Sequence, residues 1–175
     1  IDESELKRVA SFFTDPPYKE SSKHNLNDYV DNKAFKQWLD RCTHPHKNKA
    51  YRSVTLSLKA THQAPGDATS EQMRLVADLA DQYSFSEIRV SHEQNLILAD
   101  VQEDDLFGLW EQAKSKNLAT PNIGLLTDII CCPGGDFCSL ANAKSIPIAE
   151  SIQEVFDDMD YLHDIGEIDL NISGC

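Results

Sequence analysis

The chain has 175 residues, 41% of them hydrophobic, and a formal net charge of −13. Because domains commonly hold about 100 to 150 residues, this length allows one good core or two small ones. The negative charge argues against nucleic-acid binding, and no apolar run approaches the roughly 20 residues that cross a bilayer. The first residues, Ile-Asp-Glu-Ser-Glu-Leu-Lys, show no export signal, so we expect a cytoplasmic globular protein without membrane contact.

Two short helical patterns, around residues 6–13 and 34–42, occupy the beginning of the chain. A polar stretch with two adjacent prolines joins them, which is typical of a connecting arm rather than a domain. The second pattern ends at Cys42, which we interpret as a buried structural thiol.

A more regular pattern begins at residue 51. Residues 53–58 alternate polar and apolar side chains, which predicts a half-buried strand, and a Pro-Gly-Asp turn follows. Thr69 and Gln72 have the spacing of a capping box, and apolar residues then recur at helical spacing through Tyr83. We therefore predict a helix after the first strand.

The next segment repeats these element types. Residues 88–90 and 96–98 are predicted strands on either side of a polar hairpin, and residues 106–113 form a second amphipathic helix. The order is β-α-β-β-α. With one more strand over residues 125–130 it becomes the ferredoxin-like split β-α-β plan, an α+β sandwich with its helices on one face of the sheet.

The last region contains four of the five cysteines. Cys132 is the first and Cys138 the last residue of the motif Cys-Pro-Gly-Gly-Asp-Phe-Cys. Cys131 directly precedes the motif, and Cys175 is the last residue of the sequence. An odd number of cysteines without an export signal favours metal or redox chemistry over disulfides.

The pattern around these cysteines predicts short elements. A turn or helix start is expected directly after Cys138, and Pro147 predicts a kink or a restart of the helix near residue 145. Apolar residues alternate over 168–172, which predicts a strand that delivers Cys175 to its end.

The spacing of Cys132 and Cys138 suits an iron–sulfur cluster. The two glycines between them let a loop wrap the cluster and bring backbone N–H groups close to its sulfides. If Cys138 begins a helix, the helix dipole favours its thiolate. Spacing alone leaves two other interpretations open, a structural zinc site, which usually has two to four residues between ligands, and ordinary buried cysteines.

Residues 131–149, Cys-Cys-Pro-Gly-Gly-Asp-Phe-Cys-Ser-Leu-Ala-Asn-Ala-Lys-Ser-Ile-Pro-Ile-Ala, and the later Asn-Ile-Ser-Gly-Cys resemble the cluster region of the siroheme-dependent nitrite and sulfite reductases. The resemblance implies that Cys132, Cys138 and Cys175 are the first three ligands of a 4Fe-4S cluster. Cys131 is the less favoured neighbour of Cys132. The family's fourth ligand, which also bridges to siroheme iron, would lie four residues beyond Cys175. We therefore expect the isolated chain to lack both cofactors and reductase activity.

Upstream segments, residues 54–59, 65–69 and 88–96, resemble the second of the family's two ferredoxin-like half-domains. The resemblance implies that side chains of the hairpin contact the siroheme carboxylates, which need hydrogen-bond donors such as arginine and amide groups. The four candidates are Arg89, Ser91, Gln94 and Asn95. No catalytic residue is assigned, because the family's anion-binding residues belong mainly to the first half-domain.

The domain organisation implied is a helical connecting arm over 1–48, the half-domain over 49–120, and the first part of the 4Fe-4S/siroheme domain over 121–175.

The resemblance implies an oxidoreductase that reduces nitrite to ammonia or sulfite to sulfide with six electrons, delivered singly by ferredoxin or a flavoprotein reductase. The sequence does not decide between nitrite and sulfite. Two other classes stay open, a cysteine-rich structural zinc module and a non-catalytic ferredoxin-like interaction domain whose cysteines are inert.

Overall fold

The computed structural model describes residues 2–20 and 31–175 and has an α+β fold. In chain order the elements are α1 (Glu3–Ala10), α2 (Lys33–Cys42), β1 (Thr43–Pro45), β2 (Tyr51–Leu56), α3 (Ser70–Tyr83), β3 (Arg89–Val90), β4 (Leu96–Gln102), α4 (Leu106–Lys114), β5 (Ile130–Cys131), α5 (Ile146–Val155), α6 (Met159–Ile165) and β6 (Asn171–Ile172). No helix within the described ranges is both long and apolar enough to cross a bilayer.

Four strands form an antiparallel sheet in the order β1-β2-β4-β3. The β-α-β-β-α succession predicted from the sequence is confirmed in β2, α3, β3, β4 and α4. The strand predicted over residues 125–130 is wrong, because Leu125 makes only an isolated bridge to Glu167 and β5 pairs elsewhere. The sheet edge beside β2 is filled instead by β1, which lies upstream in the chain.

One apolar core joins three helices to one face of this sheet. Its buried residues come from α2, α3 and α4 and from strands β2 and β4. Helix α2, predicted as part of an arm, contributes the fully buried Phe35, Trp38 and Cys42. The interpretation of Cys42 as a buried thiol is therefore confirmed. Much of the predicted polar stretch between the first two helices lies outside the described residues.

Local signals in the sequence set the ends of two helices. The capping box of Thr69 and Gln72 is present at the start of α3, with both of its hydrogen bonds formed. Pro147 lies in the first turn of α5, where the missing N–H has no helical partner to lose. The predicted restart of the helix near residue 145 is thus confirmed.

Residues 121–175, called here the cysteine segment, have a small sheet and a small core of their own. β5 and β6 pair in parallel, and Ile129, Cys131 and Ala149 are the buried residues of the small core. The turn expected directly after Cys138 is present, since the Ala141 N–H donates to the Cys138 carbonyl at 3.2 Å, and no helix begins there. Cys138 follows a 3₁₀ turn over Gly134–Asp136, and its N–H donates to the Gly134 carbonyl at 2.9 Å.

The cysteine segment covers the second face of the sheet near the end of β2. Thr55, Ser57 and Lys59 are the polar members of the alternating pattern, yet all three are buried. Ser57 Oγ donates to Asn122 Oδ1 at 2.8 Å, and Asn122 Nδ2 donates to the Lys59 carbonyl at 3.1 Å. The predicted half-buried strand is therefore covered on both faces.

Candidate functional site

The parallel pairing of β5 and β6 brings two predicted cluster ligands, Cys132 and Cys175, to the same end of this small sheet. The Cys132 N–H donates to the Ile172 carbonyl at 3.1 Å, which continues the ladder one residue beyond β5. Two residues further along, the Gly174 N–H donates to Cys132 Sγ at 3.1 Å. The end of the chain thus lies directly against the first cysteine of the motif.

Two glycines allow the cysteine loop and the C-terminal strand to cross. A Cβ on Gly174 would lie 2.6 Å from the Ala143 carbonyl oxygen and 3.0 Å from Gly134 Cα. A Cβ on Gly134, which has a φ of +61°, would lie 2.6 Å from both the backbone nitrogen and the hydroxyl of Ser145. Only glycine fits a crossing this close.

The other two predicted ligands border this crossing. Cys138 is half-buried and hydrogen bonded through its N–H to Gly134, while Cys175 is exposed next to Gly174, with its Sγ 3.8 Å from Ser173 Oγ. Across residues 2–20 and 31–175, no three His, Cys, Asp or Glu side chains lie close enough to bind a single metal ion. The crossing therefore connects the backbones of Cys132, Cys138 and Cys175 without a preformed single-ion site.

Electrostatics distinguish Cys132 from its neighbour. The Ser145 hydroxyl, 3.3 Å from Cys132 Sγ, and the N–H groups of Gly174 and Gly134 lower the pKa of Cys132, because they stabilise its thiolate. Burial raises the pKa of Cys131, which is 4% exposed and belongs to the small core. The thiolate form is therefore favoured more strongly at Cys132 than at Cys131.

We predict that alkylation of Cys132 in the cofactor-free chain has a pH midpoint below 9.0, the ordinary value for a thiol. Iodoacetamide labelling at a series of pH values, resolved by tandem mass spectrometry, measures this midpoint. Ser145→Ala removes the largest stabilising contact and should raise it. Identical profiles for the two proteins would contradict the assignment, whereas Cys131 should label only after unfolding.

The predicted siroheme contacts lie around the 91–95 hairpin but do not share one cavity. Ser91 and Asn95 line a cavity of about 520 Å³ against the sheet, whereas Gln94 lines a separate one of about 310 Å³ beside Cys131. Arg89 is opposite Ile97, which is opposite Thr55 on the next strand, so these three side chains share one face of the sheet. Arg89 is exposed and pairs with Glu87 at 2.5 Å.

The amides of the hairpin are engaged within the chain. Asn95 is 1% exposed, accepts a hydrogen bond from the Leu58 N–H at 3.0 Å and donates to Asp128 at 2.9 Å. Gln94 bonds to both backbone groups of Cys131. Their predicted contacts with siroheme stay predictions, and the hydrogen bonds observed are structural ones.

A buried ion pair beneath the hairpin was not foreseen from the sequence. Lys59 Nζ donates to Asp128 Oδ1 at 3.1 Å and to the Glu93 carbonyl at 2.7 Å, and the Lys59 side chain has no solvent exposure. Burial lowers the pKa of Lys59, while Asp128 opposes that shift. The available sequence signal was a lysine continuing the polar register of β2, but nothing local indicated which segment covers it.

Comparisons with known proteins agree on one family. The model of the nitrite/sulfite reductase ferredoxin-like half domain matches residues 44–116. A chloroplastic ferredoxin–nitrite reductase of Betula pendula is 29% identical over 126 residues, 67% of this chain and 21% of that protein. An assimilatory ferredoxin-dependent nitrite reductase of Haloferax mediterranei is 33% identical over 116 residues, 64% of this chain and 19% of that protein.

A solved structure shares the fold. The Mycobacterium tuberculosis NirA protein superposes with a TM-score of 0.58 at 20% sequence identity, covering 98% of this chain and 30% of its own. The chain thus spans about a fifth of the length of the curated relatives named here and under a third of this structure.

Proposed function

This chain belongs to the nitrite/sulfite reductase family, and we propose that it forms part of an enzyme that reduces nitrite to ammonia at a siroheme coupled to a 4Fe-4S cluster. We propose nitrite as the substrate, and not sulfite, because the relatives named above are nitrite reductases. Their names also support ferredoxin as the electron donor. The proposal concerns the whole enzyme, of which this chain would supply the second half-domain and the first cluster ligands.

The observation that carries the proposal is the environment of Cys132. Its sulfur accepts a hydrogen bond from the Gly174 N–H and lies 3.3 Å from the Ser145 hydroxyl, and both contacts favour the deprotonated form that binds iron. Cys138 and Cys175 flank the same glycine crossing. This donor set fits an iron–sulfur cluster, and we propose Cys132, Cys138 and Cys175 as three of its ligands.

We propose that siroheme lies against the uncovered part of the sheet near Arg89 and Ser91. The exposed Arg89 guanidinium would pair with a tetrapyrrole carboxylate, since arginine binds carboxylates through two parallel hydrogen bonds. Gln94 and Asn95 would contribute chiefly by fixing the hairpin, because their amides already bond within the chain. The cluster would relay electrons from the donor, and siroheme would supply the iron at which nitrite is reduced.

Reduction of nitrite by the full-length enzyme tests this function. With reduced ferredoxin as donor, we expect ammonium to form from nitrite, with six electrons consumed for each nitrite. Arg89→Ala should weaken siroheme binding by roughly 10- to 150-fold and lower activity in parallel, because a charge-assisted hydrogen bond contributes roughly 1.5 to 3 kcal/mol. The melting temperature of the cofactor-free form should barely change, since Arg89 lies on the surface.

Arg74→Ala is the matched control, because Arg74 is an exposed arginine on α3. It should leave siroheme content and activity unchanged. If Arg89→Ala lowers the melting temperature while siroheme per folded molecule stays constant, Arg89 supports the fold and is not a cofactor contact. Turnover of sulfite in preference to nitrite would contradict the substrate assignment.

A further inference from the structure

The Gln94 side chain occupies the free edge of β5. Gln94 Nε2 donates to the Cys131 carbonyl at 3.0 Å, and the Cys131 N–H donates to Gln94 Oε1 at 3.0 Å. Such a closed pair of hydrogen bonds is what a neighbouring antiparallel strand would provide. A single amide side chain therefore makes the two hydrogen bonds that a third strand would make at this position.

The need for this contact follows from the strand's geometry. The N–H groups of Ile130 and Cys132 point toward β6 and donate to Leu170 and Ile172. Because successive residues of a strand point their backbone groups to opposite edges, the Cys131 groups point away from β6. A buried strand edge without a partner is costly, and Gln94 satisfies both groups.

The backbone around Gln94 is held so that its side chain has a fixed direction. Gln94 has a φ of +59°, and its hairpin is closed by a hydrogen bond from the Ser91 N–H to the Asn95 carbonyl at 3.0 Å. Asn95 is anchored from below by Leu58 and Asp128. Gly66 leaves the necessary space, because a Cβ there would approach Gln94 Cβ to 3.0 Å.

We propose that Gln94 is a positioning residue that ties the main chain of Cys131, and with it the adjacent Cys132, to the 91–95 hairpin. Its action is to hold the cysteine loop in the geometry required for cluster insertion, and this part of the inference rests on the proposed function. Two hydrogen bonds therefore link the hairpin that faces the proposed siroheme surface to the backbone next to the first cluster ligand. Ordering of the hairpin should then also order the backbone of Cys131 and Cys132.

Hydrogen exchange of the cofactor-free chain tests the tie without relying on any cofactor. In Gln94→Ala, the amides of Cys131 and Cys132 should exchange roughly tenfold faster or more, since two hydrogen bonds are lost at an otherwise covered strand edge. The amide of Leu98, in the core of the sheet, should keep its protection. Gln94→Glu retains the acceptor for the Cys131 N–H but loses the donor, so its exchange should be intermediate.

Gln112→Ala is the matched control, because the Gln112 amide bonds to Tyr83 on α3 instead of to the backbone of Cys131, and it should leave Cys131 exchange unchanged. In the full-length protein, Gln94→Ala should also lower cluster iron per chain at an unchanged melting temperature. Unchanged exchange at Cys131 and Cys132 overturns the inference. Faster exchange with full cluster content would preserve the tie, refute its role in cluster insertion, and leave the proposed ligands unaffected.

Discussion

If the proposed ligands are correct, Cys132→Ser is expected to abolish the visible absorbance of the proposed iron–sulfur cluster in the full-length protein, whereas Cys131→Ser retains most of it. The reason is that the Gly174 N–H donates to Cys132 Sγ and the Ser145 hydroxyl lies 3.3 Å from it, which favours the thiolate, whereas burial in a small apolar core raises the pKa of Cys131. Absorbance spectra and iron content per chain, measured on anaerobically purified proteins, compare the two variants directly.

The two serine variants also separate ligation from folding. The main core lies apart from the cysteine loop, so far-ultraviolet circular dichroism should show that the ferredoxin-like half stays folded in both. Retention of iron and sulfide in Cys132→Ser together with their loss in Cys131→Ser would show that the adjacent cysteine is the ligand.

Asp128→Asn is expected to destabilise the chain by about 3 kcal/mol, because it leaves the Lys59 ammonium buried without a counter-charge. Asp128 also accepts from the Asn95 amide and from the Gly124 N–H, so its loss should loosen the hairpin too. Urea unfolding followed by circular dichroism gives the change in the free energy of unfolding. Glu71→Gln, which breaks the exposed pair with Lys116, should change it by less than about 1 kcal/mol.

The pH dependence of stability provides a second measure of the buried pair. Lys59 has a lowered pKa in the folded state and an ordinary value of 10.5 in the unfolded chain. Between these values the unfolded state binds more protons, so the Lys59 contribution to folding becomes more favourable as pH rises and levels off above 10.5. Asp128→Asn should lower the folded-state pKa of Lys59 further, because the carboxylate that stabilises the ammonium is gone. The rise of stability with pH should therefore begin at a lower pH in this variant. A loss under 1 kcal/mol with no change in slope would contradict this account.

Local sequence signals predicted the parts of the fold that depend on neighbours in the chain. The capping box at Thr69 and the restart at Pro147 are examples, since each involves contacts within a few residues. The fourth strand of the sheet was misplaced because strand pairing is a long-range choice. Thr43 lies beside Val54, and its three-residue strand carries too little pattern to be recognised.

The same limit applies to the candidate site. Cysteine spacing and family resemblance pointed to Cys132, but the groups that stabilise its thiolate, Ser145 and Gly174, come from distant turns of the chain. Gln94 was predicted as a siroheme contact, which stays a prediction, but sequence alone does not show that its amide reaches Cys131. Lys59 was overlooked for the same reason, since burial of a polar strand position depends on the segment that covers it.

Iron, acid-labile sulfide and siroheme measured per chain in the anaerobically purified full-length protein test the central claim most directly. We predict about four iron and four sulfide in addition to one siroheme, with the cluster lost in each of Cys132→Ser, Cys138→Ser and Cys175→Ser. Stoichiometric zinc in place of iron, or unchanged iron and sulfide when all three cysteines are replaced together, would contradict the assignment of this chain as the carrier of three cluster ligands.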